Sequence, residues 1–134
     1  MENTPTPPKK RILVVEDDQF LRDLYEEILA TAGFLVEKAV DGEDGYEMMK
    51  KGGYDLVLLD IMLPKMDGIS ILRKFHNEGP GLAPNKAVVI LSNLGQESII
   101  GEAINLGARG YMIKSDMTPE QALSEIRRYL SESF

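Results

Sequence analysis

A chain of 134 residues, 43% hydrophobic and 28% charged, has the composition of a globular protein and room for one domain of ordinary size. No apolar stretch approaches the ~20 residues of a membrane-spanning helix, the polar start MENTPTPPKK does not read as a secretory signal, and the lack of cysteine excludes a disulfide framework. The formal net charge of -7 argues against direct binding to nucleic acid or an anionic membrane, so the expected partners are proteins or metal ions and the expected location is a reducing cytoplasm.

Residues 1–10 carry three prolines and no apolar periodicity, and are expected to form a flexible tail. Residues 11–15, RILVV, predict a first strand that runs straight into Glu16, Asp17 and Asp18. The pattern then turns helical, with Phe20, Leu21, Leu24, Tyr25, Ile28 and Leu29 on an apolar stripe and Arg22, Asp23, Glu26 and Glu27 on a polar one. Gly33 fits the left-handed position that closes it. Taken alone, the three acids read equally well as caps of this helix and complements to its dipole. Residues 35–39 predict a second strand and Asp41-Gly42 a turn. A helix over 43–51 follows, with Tyr46 and Met49 inward and Gly52-Gly53 at its end.

The stretch YDLVLLDIMLPKMDG, residues 54–68, organises the chain. Leu56, Val57, Leu58 and Leu59 are too few for a core helix and too continuous for a strand with one wet face. They predict a parallel strand buried on both faces, which ends on Asp60. Pro64 stops the pairing, Asp67-Gly68 turns the chain, and residues 69–75 predict a third helix. His76, the one histidine, falls at that helix end with no partner for a zinc site. After the loop HNEGPGLAPN, residues 86–91 form a fourth predicted strand delivering Ser92-Asn93. A helix over 96–106 follows, then a fifth strand, GYMI at 110–113, delivering Lys114. Thr118-Pro119-Glu120-Gln121 is a capping box for a last helix that buries Ala122, Leu123, Ile126 and Leu130. This alternation predicts a parallel sheet with helices on both faces.

Four predicted strands therefore finish on polar residues capable of chemistry: Glu16-Asp17-Asp18, Asp60, Ser92 and Lys114. In a parallel sheet these ends share one edge, where open α/β sheets bind their ligands. Crowded carboxylates need a counter-charge, and oxygen-only donors suit Mg²⁺, or Mn²⁺, better than zinc. With a lysine and a hydroxyl added, the set looks like a cradle for a phosphoryl group on Asp60, as an aspartyl phosphate.

The segments ILVVEDD, LLDIMLPKMDG, VVILSN and GYMIK together resemble the receiver domain of two-component response regulators, the chemotaxis-regulator-like superfamily. The resemblance covers residues 11–130, leaving 131–134 as the C-terminal end. It implies a flavodoxin-like three-layer fold with a five-stranded sheet of order 2-1-3-4-5 and five helices. It further implies that Asp60 accepts a phosphoryl group from a histidine kinase or histidine phosphotransfer protein. The metal set would be Glu16, acting mainly through water, with Asp17, Asp60 and the carbonyl of Met62. Lys114 and Ser92 would assist the transfer, while Asp18 would be peripheral. Ser92 and Tyr111 would act as the switch. The readout surface, toward a downstream protein or a second receiver, would be the fourth helix, fifth strand and fifth helix, with Ile99, Ile100, Ile104 and Tyr111 as candidates. Such a chain is a phosphoacceptor with self-catalysed, Mg²⁺-dependent phosphorylation rather than a turnover enzyme.

Two positions depart from the family pattern. Ser115 stands where proline usually follows the lysine, and a cis bond to a non-proline residue costs ~3 kcal/mol, so the loop is either strained or trans. Asn93 stands where a small residue is usual. Met62 and Leu94, two residues after the acceptor and the hydroxyl, are apolar and cannot orient an attacking water, which predicts slow dephosphorylation. Two alternative functions follow. One is a phosphorylation-independent interaction or dimerisation module; the other is a Mg²⁺-dependent phosphohydrolase, opposed by the absence of an acid at Met62.

Overall fold

The computed structural model describes residues 8–78, 85–93 and 95–131. Most of the expected tail, the middle of the loop after His76, Leu94 and residues 132–134 lie outside the described residues. Five strands, β1 (Arg11–Val15), β2 (Leu35–Ala39), β3 (Leu56–Asp60), β4 (Val88–Ser92) and β5 (Gly110–Ile113), pair in parallel in the order β2-β1-β3-β4-β5. The helices are α1 (Gln19–Thr31), α2 (Gly42–Lys51), α3 (Gly68–Glu78), α4 (Glu97–Asn105) and α5 (Pro119–Ser131), with a single 3-10 turn at Lys114–Asp116. This is the flavodoxin-like order that the sequence implied.

Strand period decides the two cores. Leu13, Val15, Val57, Leu59 and Ile90 face α2, α3 and α4, where Tyr46, Met49, Leu72, Phe75 and Ala103 cover them. The alternate residues Ile12, Val14, Leu56, Leu58, Val89 and Leu91 face Tyr25 and Leu29 of α1 and Ala122, Ile126 and Tyr129 of α5. Every residue of β3 and β4 is buried, which is why those segments read as unbroken apolar runs. Register places Asp60 beside Leu91 and Ser92 beside Ile113, so the polar strand ends line up along one edge.

Several boundaries differ from the sequence expectations. Helix α3 runs three residues beyond Phe75 and carries His76, exposed, in its last turn. Strand β4 begins at Val88 rather than residue 86, because Asn85 holds a bend there: its Nδ2 donates to Met49 O at 2.8 Å and its Oδ1 accepts from Tyr54 N at 3.4 Å. Helix α4 is shorter by a residue at each end, since Gln96 is its N-cap and Leu106 its C-cap. Phe20 is not in the apolar seam but 74% exposed; it sits in the first turn of α1, while Tyr25 and Leu29 make the buried contacts. Leu123 and Leu130 are only partly buried, and Tyr129 fills the α5 seam instead. Of the readout candidates, Ile100 is buried and Ile99 packs on the core, which leaves Ile104 and Tyr111 exposed. The capping box at α5 forms as expected: Gln121 N donates to Thr118 Oγ1 at 3.2 Å and Thr118 N to Gln121 Oε1 at 2.9 Å.

Candidate functional site

At the carboxyl edge of the sheet the chain leaves β1 through Glu16, Asp17 and Asp18. Glu16 is fully buried and Asp17 exposed, while Asp18 turns away to cap α1, its Oδ1 accepting from Leu21 N at 3.1 Å. Asp60 ends β3 at 2% exposure. Its backbone is covered by the start of α3, so closely that a Cβ at Gly68 would lie 2.4 Å from Asp60 O. Only glycine lets the turn after Pro64 come back this near.

Lys114, just beyond β5, reaches across both acids. Its Nζ donates to Asp60 Oδ2 at 2.7 Å and lies 2.7 Å from Glu16 Oε1, the latter an ion-pair contact without hydrogen-bond alignment. The 3-10 turn at Lys114–Asp116 delivers this contact with Ser115 in the position of the family's usual proline. Glu16 Oε2 accepts the Asp18 N–H at 3.2 Å. Burial, together with hydrogen bonding to Asp60 and its charge, pushes the Glu16 carboxyl above its ordinary range, against the opposing pull of Lys114. Burial pulls Lys114 down, but its two carboxylate partners outweigh that and hold its ammonium above the ordinary lysine value.

Glu16, Asp17 and Asp60 each offer an oxygen within 4.8 Å of the others. Three carboxylates against one ammonium leave a surplus of two negative charges, which matches one divalent cation held by hard oxygen donors. A cleft of about 530 Å³ opens above them, lined also by Asp18, Leu21, Met62, Asn93, Lys114 and Ser115. Met62 is 60% exposed at its mouth, and its N–H points at Asp60 Oδ1 over a long 3.4 Å. Ser92 is fully buried and its Oγ has no hydrogen-bond partner among the described residues. A buried hydroxyl beside an anionic cluster is costly unless a ligand completes it.

Sequence expectation and geometry thus meet at Glu16, Asp17, Asp60 and Lys114, with Met62 at the rim and Ser92 at the adjoining strand end. Tyr111 lies outside the cleft, 47% exposed. One contributor went unseen in the sequence. Arg22, placed there on the polar stripe of α1, sends Nη1 back to the main-chain oxygens of Glu16 at 2.8 Å and Asp17 at 3.2 Å. Its place in the first turn of the helix, five and six residues after the acids, was the available signal.

The family model of the response regulator receiver domain matches residues 12–127. Over 113 residues the chain is 42% identical to a chemotaxis protein CheY of Treponema pallidum (strain Nichols), a match covering 82% of this chain and 76% of that protein. It is 37% identical over 117 residues to the transcriptional regulatory protein DltR of Streptococcus agalactiae serotype III, covering 87% of this chain and 50% of that regulator, so it spans about half of that relative. The crystal structure of a CheY-like response regulator receiver domain protein from Methanospirillum hungatei JF-1 superposes with a TM-score of 0.80 at 30% identity, over 92% of this chain and 94% of that one. With this match over most of its length and the 2-1-3-4-5 sheet beneath it, the chain belongs to the response regulator receiver domains of two-component signalling.

Proposed function

We propose that Asp60 is the phosphoacceptor and that the contact of the partly buried Lys114 to Asp60 and Glu16 is the observation that carries this reading. In the transfer, a carboxylate oxygen of Asp60 attacks phosphorus; the new O–P bond forms as the P–N bond of a phosphohistidine breaks, and the imidazole leaves to take a proton from solvent. The donor would be a histidine kinase or a histidine phosphotransfer protein. Lys114, a fixed cation above its ordinary pKa, stays charged and moves its contact from the Asp60 carboxylate to a phosphoryl oxygen. Ser92, buried without a partner, donates its hydroxyl to another oxygen of the same group. Mg²⁺, with Mn²⁺ as a substitute, would be held by Glu16, Asp17 and Asp60 with the Met62 carbonyl, and supplies charge neutralisation for the phosphoryl oxygens.

The switch follows from a local change of charge. Ser92 pairs with Ile113, and Ile90 with Tyr111, so a pull on Ser92 is felt two residues from Tyr111 on the neighbouring strand. Tyr111 and Ile104 are exposed side chains of the α4, β5 and α5 face, which we assign to a downstream protein or a second receiver.

Incubation with Mg²⁺ and a small phosphodonor tests the reading by mass. One phosphoryl group is expected on the wild type and none on Asp60→Asn. Turnover of a phosphate ester would point to the hydrolase, and no labelling of the wild type to the phosphorylation-independent module.

A further inference from the structure

Arg22 is surrounded by acids yet pairs with none of them. Asp18, Asp23 and Glu26 neighbour it on or beside α1, and Glu16 and Asp17 precede it, but its only side-chain bonds among the described residues are the two to main-chain oxygens. The competing carboxylates are occupied: Lys38 of β2 holds Glu26 at 2.8 Å and Asp23 at 3.7 Å, and Asp18 caps the helix. Those two oxygens belong to the peptide planes on either side of the Asp17 Cα. One guanidinium therefore fixes both backbone torsions of Asp17. The exposed Asp17 carboxylate itself has no hydrogen bond or ion pair among the described residues, and besides Arg22 the Asp18 N–H bond to Glu16 Oε2 steadies the peptide that follows it.

We propose that Arg22 is a positioning residue for the divalent-cation site, aiming the Asp17 carboxylate at Glu16 and Asp60, and that Lys38 keeps Arg22 on this task by holding Glu26 and Asp23. The inference rests on the reading of that site as a cation site. It carries a sign that separates it from simple electrostatics. A guanidinium repels a divalent ion, so if Arg22 acted only as a charge, its removal would tighten binding. As a clamp, its removal weakens binding. Both bonds come from one nitrogen, Nη1, whose hydrogens are fixed in the guanidinium plane; lysine keeps the charge but presents rotatable donors on a flexible stem. Loss of Lys38 removes a positive charge and leaves every site residue in place, yet frees Glu26, one helical turn from Arg22, to draw the guanidinium away.

Calorimetric titration of the whole chain with MgCl₂, paired with melting in EDTA, decides it. Arg22→Met should weaken Mg²⁺ about tenfold, the lower end for loss of a residue that orients a ligand. Arg22→Lys should weaken it less, and Lys38→Met severalfold, with the metal-free melting temperature of each within about 3 °C of wild type. A merely structural Arg22 would lower the metal-free melting temperature and leave the Mg²⁺ affinity of the folded protein unchanged, and that result overturns the proposal. So does an Arg22→Met protein that binds as tightly as wild type or tighter. If Arg22→Met fails to fold, Arg22→Lys and Lys38→Met carry the test by the same criteria. A wild type that takes up no Mg²⁺ would instead overturn the cation site itself.

Discussion

Glu16 has no exposed surface, shares one lysine with Asp60, and is pushed toward its protonated form by burial and by the Asp60 charge against the pull of that lysine. Glutamine at this position keeps an oxygen for the Asp18 N–H and gains an amide N–H that can turn toward Asp60. It removes one buried negative charge while leaving the Lys114–Asp60 pair. Glu16→Gln should therefore raise metal-free stability at pH 7 by about 1 kcal/mol, because one ammonium faces two buried carboxylates and the change removes the one in excess while Lys114 and Asp60 stay paired. The same variant should lose Mg²⁺ uptake; urea melts in EDTA and a MgCl₂ titration check the two halves. At the cleft mouth, Met62 offers a water no hydrogen bond. Met62→Asn should shorten the lifetime of the phosphorylated form severalfold, and an unchanged lifetime would remove Met62 from any role in protecting it. The polar strand ends were legible because an acid, a hydroxyl or a lysine closing an apolar run is visible in the sequence. Arg22 was not, because its partners are main-chain oxygens, which every residue has, and a helical wheel places it with the solvated charges.

The loop after β3 is braced against the start of α2. Gly42 N donates to Pro64 O at 3.1 Å, Lys65 adopts a φ of +71° and its Nζ meets Asp41 Oδ2 at 3.3 Å, and a Cβ at Gly42 would fall 1.5 Å from Met66 O. Backbone rather than a flexible side chain blocks that space, so Gly42→Ala must push the loop away. It should cost more than about 3 kcal/mol, in the range of severe local disruption, and disturb Asp60 through the same loop. A melting curve and phosphoryl labelling of the variant would show both, and a near-neutral substitution would mean the two elements are not in contact. The order and type of the five strands and five helices were legible from the switch between unbroken apolar runs and helical stripes; the 3-10 turn at Lys114–Asp116 was not. Boundaries were less so, for reasons that lie in tertiary contacts: Asn85 delays β4 by binding Met49 O across the fold, and Phe20 matches the α1 stripe but stays exposed in its first turn. Asp41-Gly42 read as a turn, which is true of Asp41 alone; it caps α2 through Asp44 N at 2.8 Å, and Gly42 is already helical.

Across the described residues, the carboxylates that are shifted from their ordinary values fall into two classes with opposite responses to acid. Hydrogen bonds from Arg11, from the Asp44 backbone and from Arg128 hold Glu37, Asp41 and Glu125 below their ordinary values. Each of these contributes stability above the ordinary carboxylate range and loses it as pH falls through its lowered folded value. Glu16 is the reverse. Its raised folded value means that the native state binds a proton more tightly than the unfolded chain, so the fold gains as pH drops from neutral, and the gain is complete below the ordinary value of 4.5. Lys114, held above its ordinary value, remains charged throughout this window and adds no slope. Without metal, the melting temperature should therefore peak on the acid side of neutral, above pH 4.5, and fall steeply below about pH 4 as the first class is protonated. Mg²⁺ competes with protons for Glu16 and binds only the folded site, so saturating metal should move the peak to neutral pH or above. Glu16→Gln in EDTA should lose the rise on mild acidification and keep the collapse at low pH. A metal-free wild type whose melting temperature does not rise between pH 7.5 and 5, or a Glu16→Gln protein that still shows the rise, would mean that the burial of Glu16 is not what sets the balance between the empty and the loaded receiver.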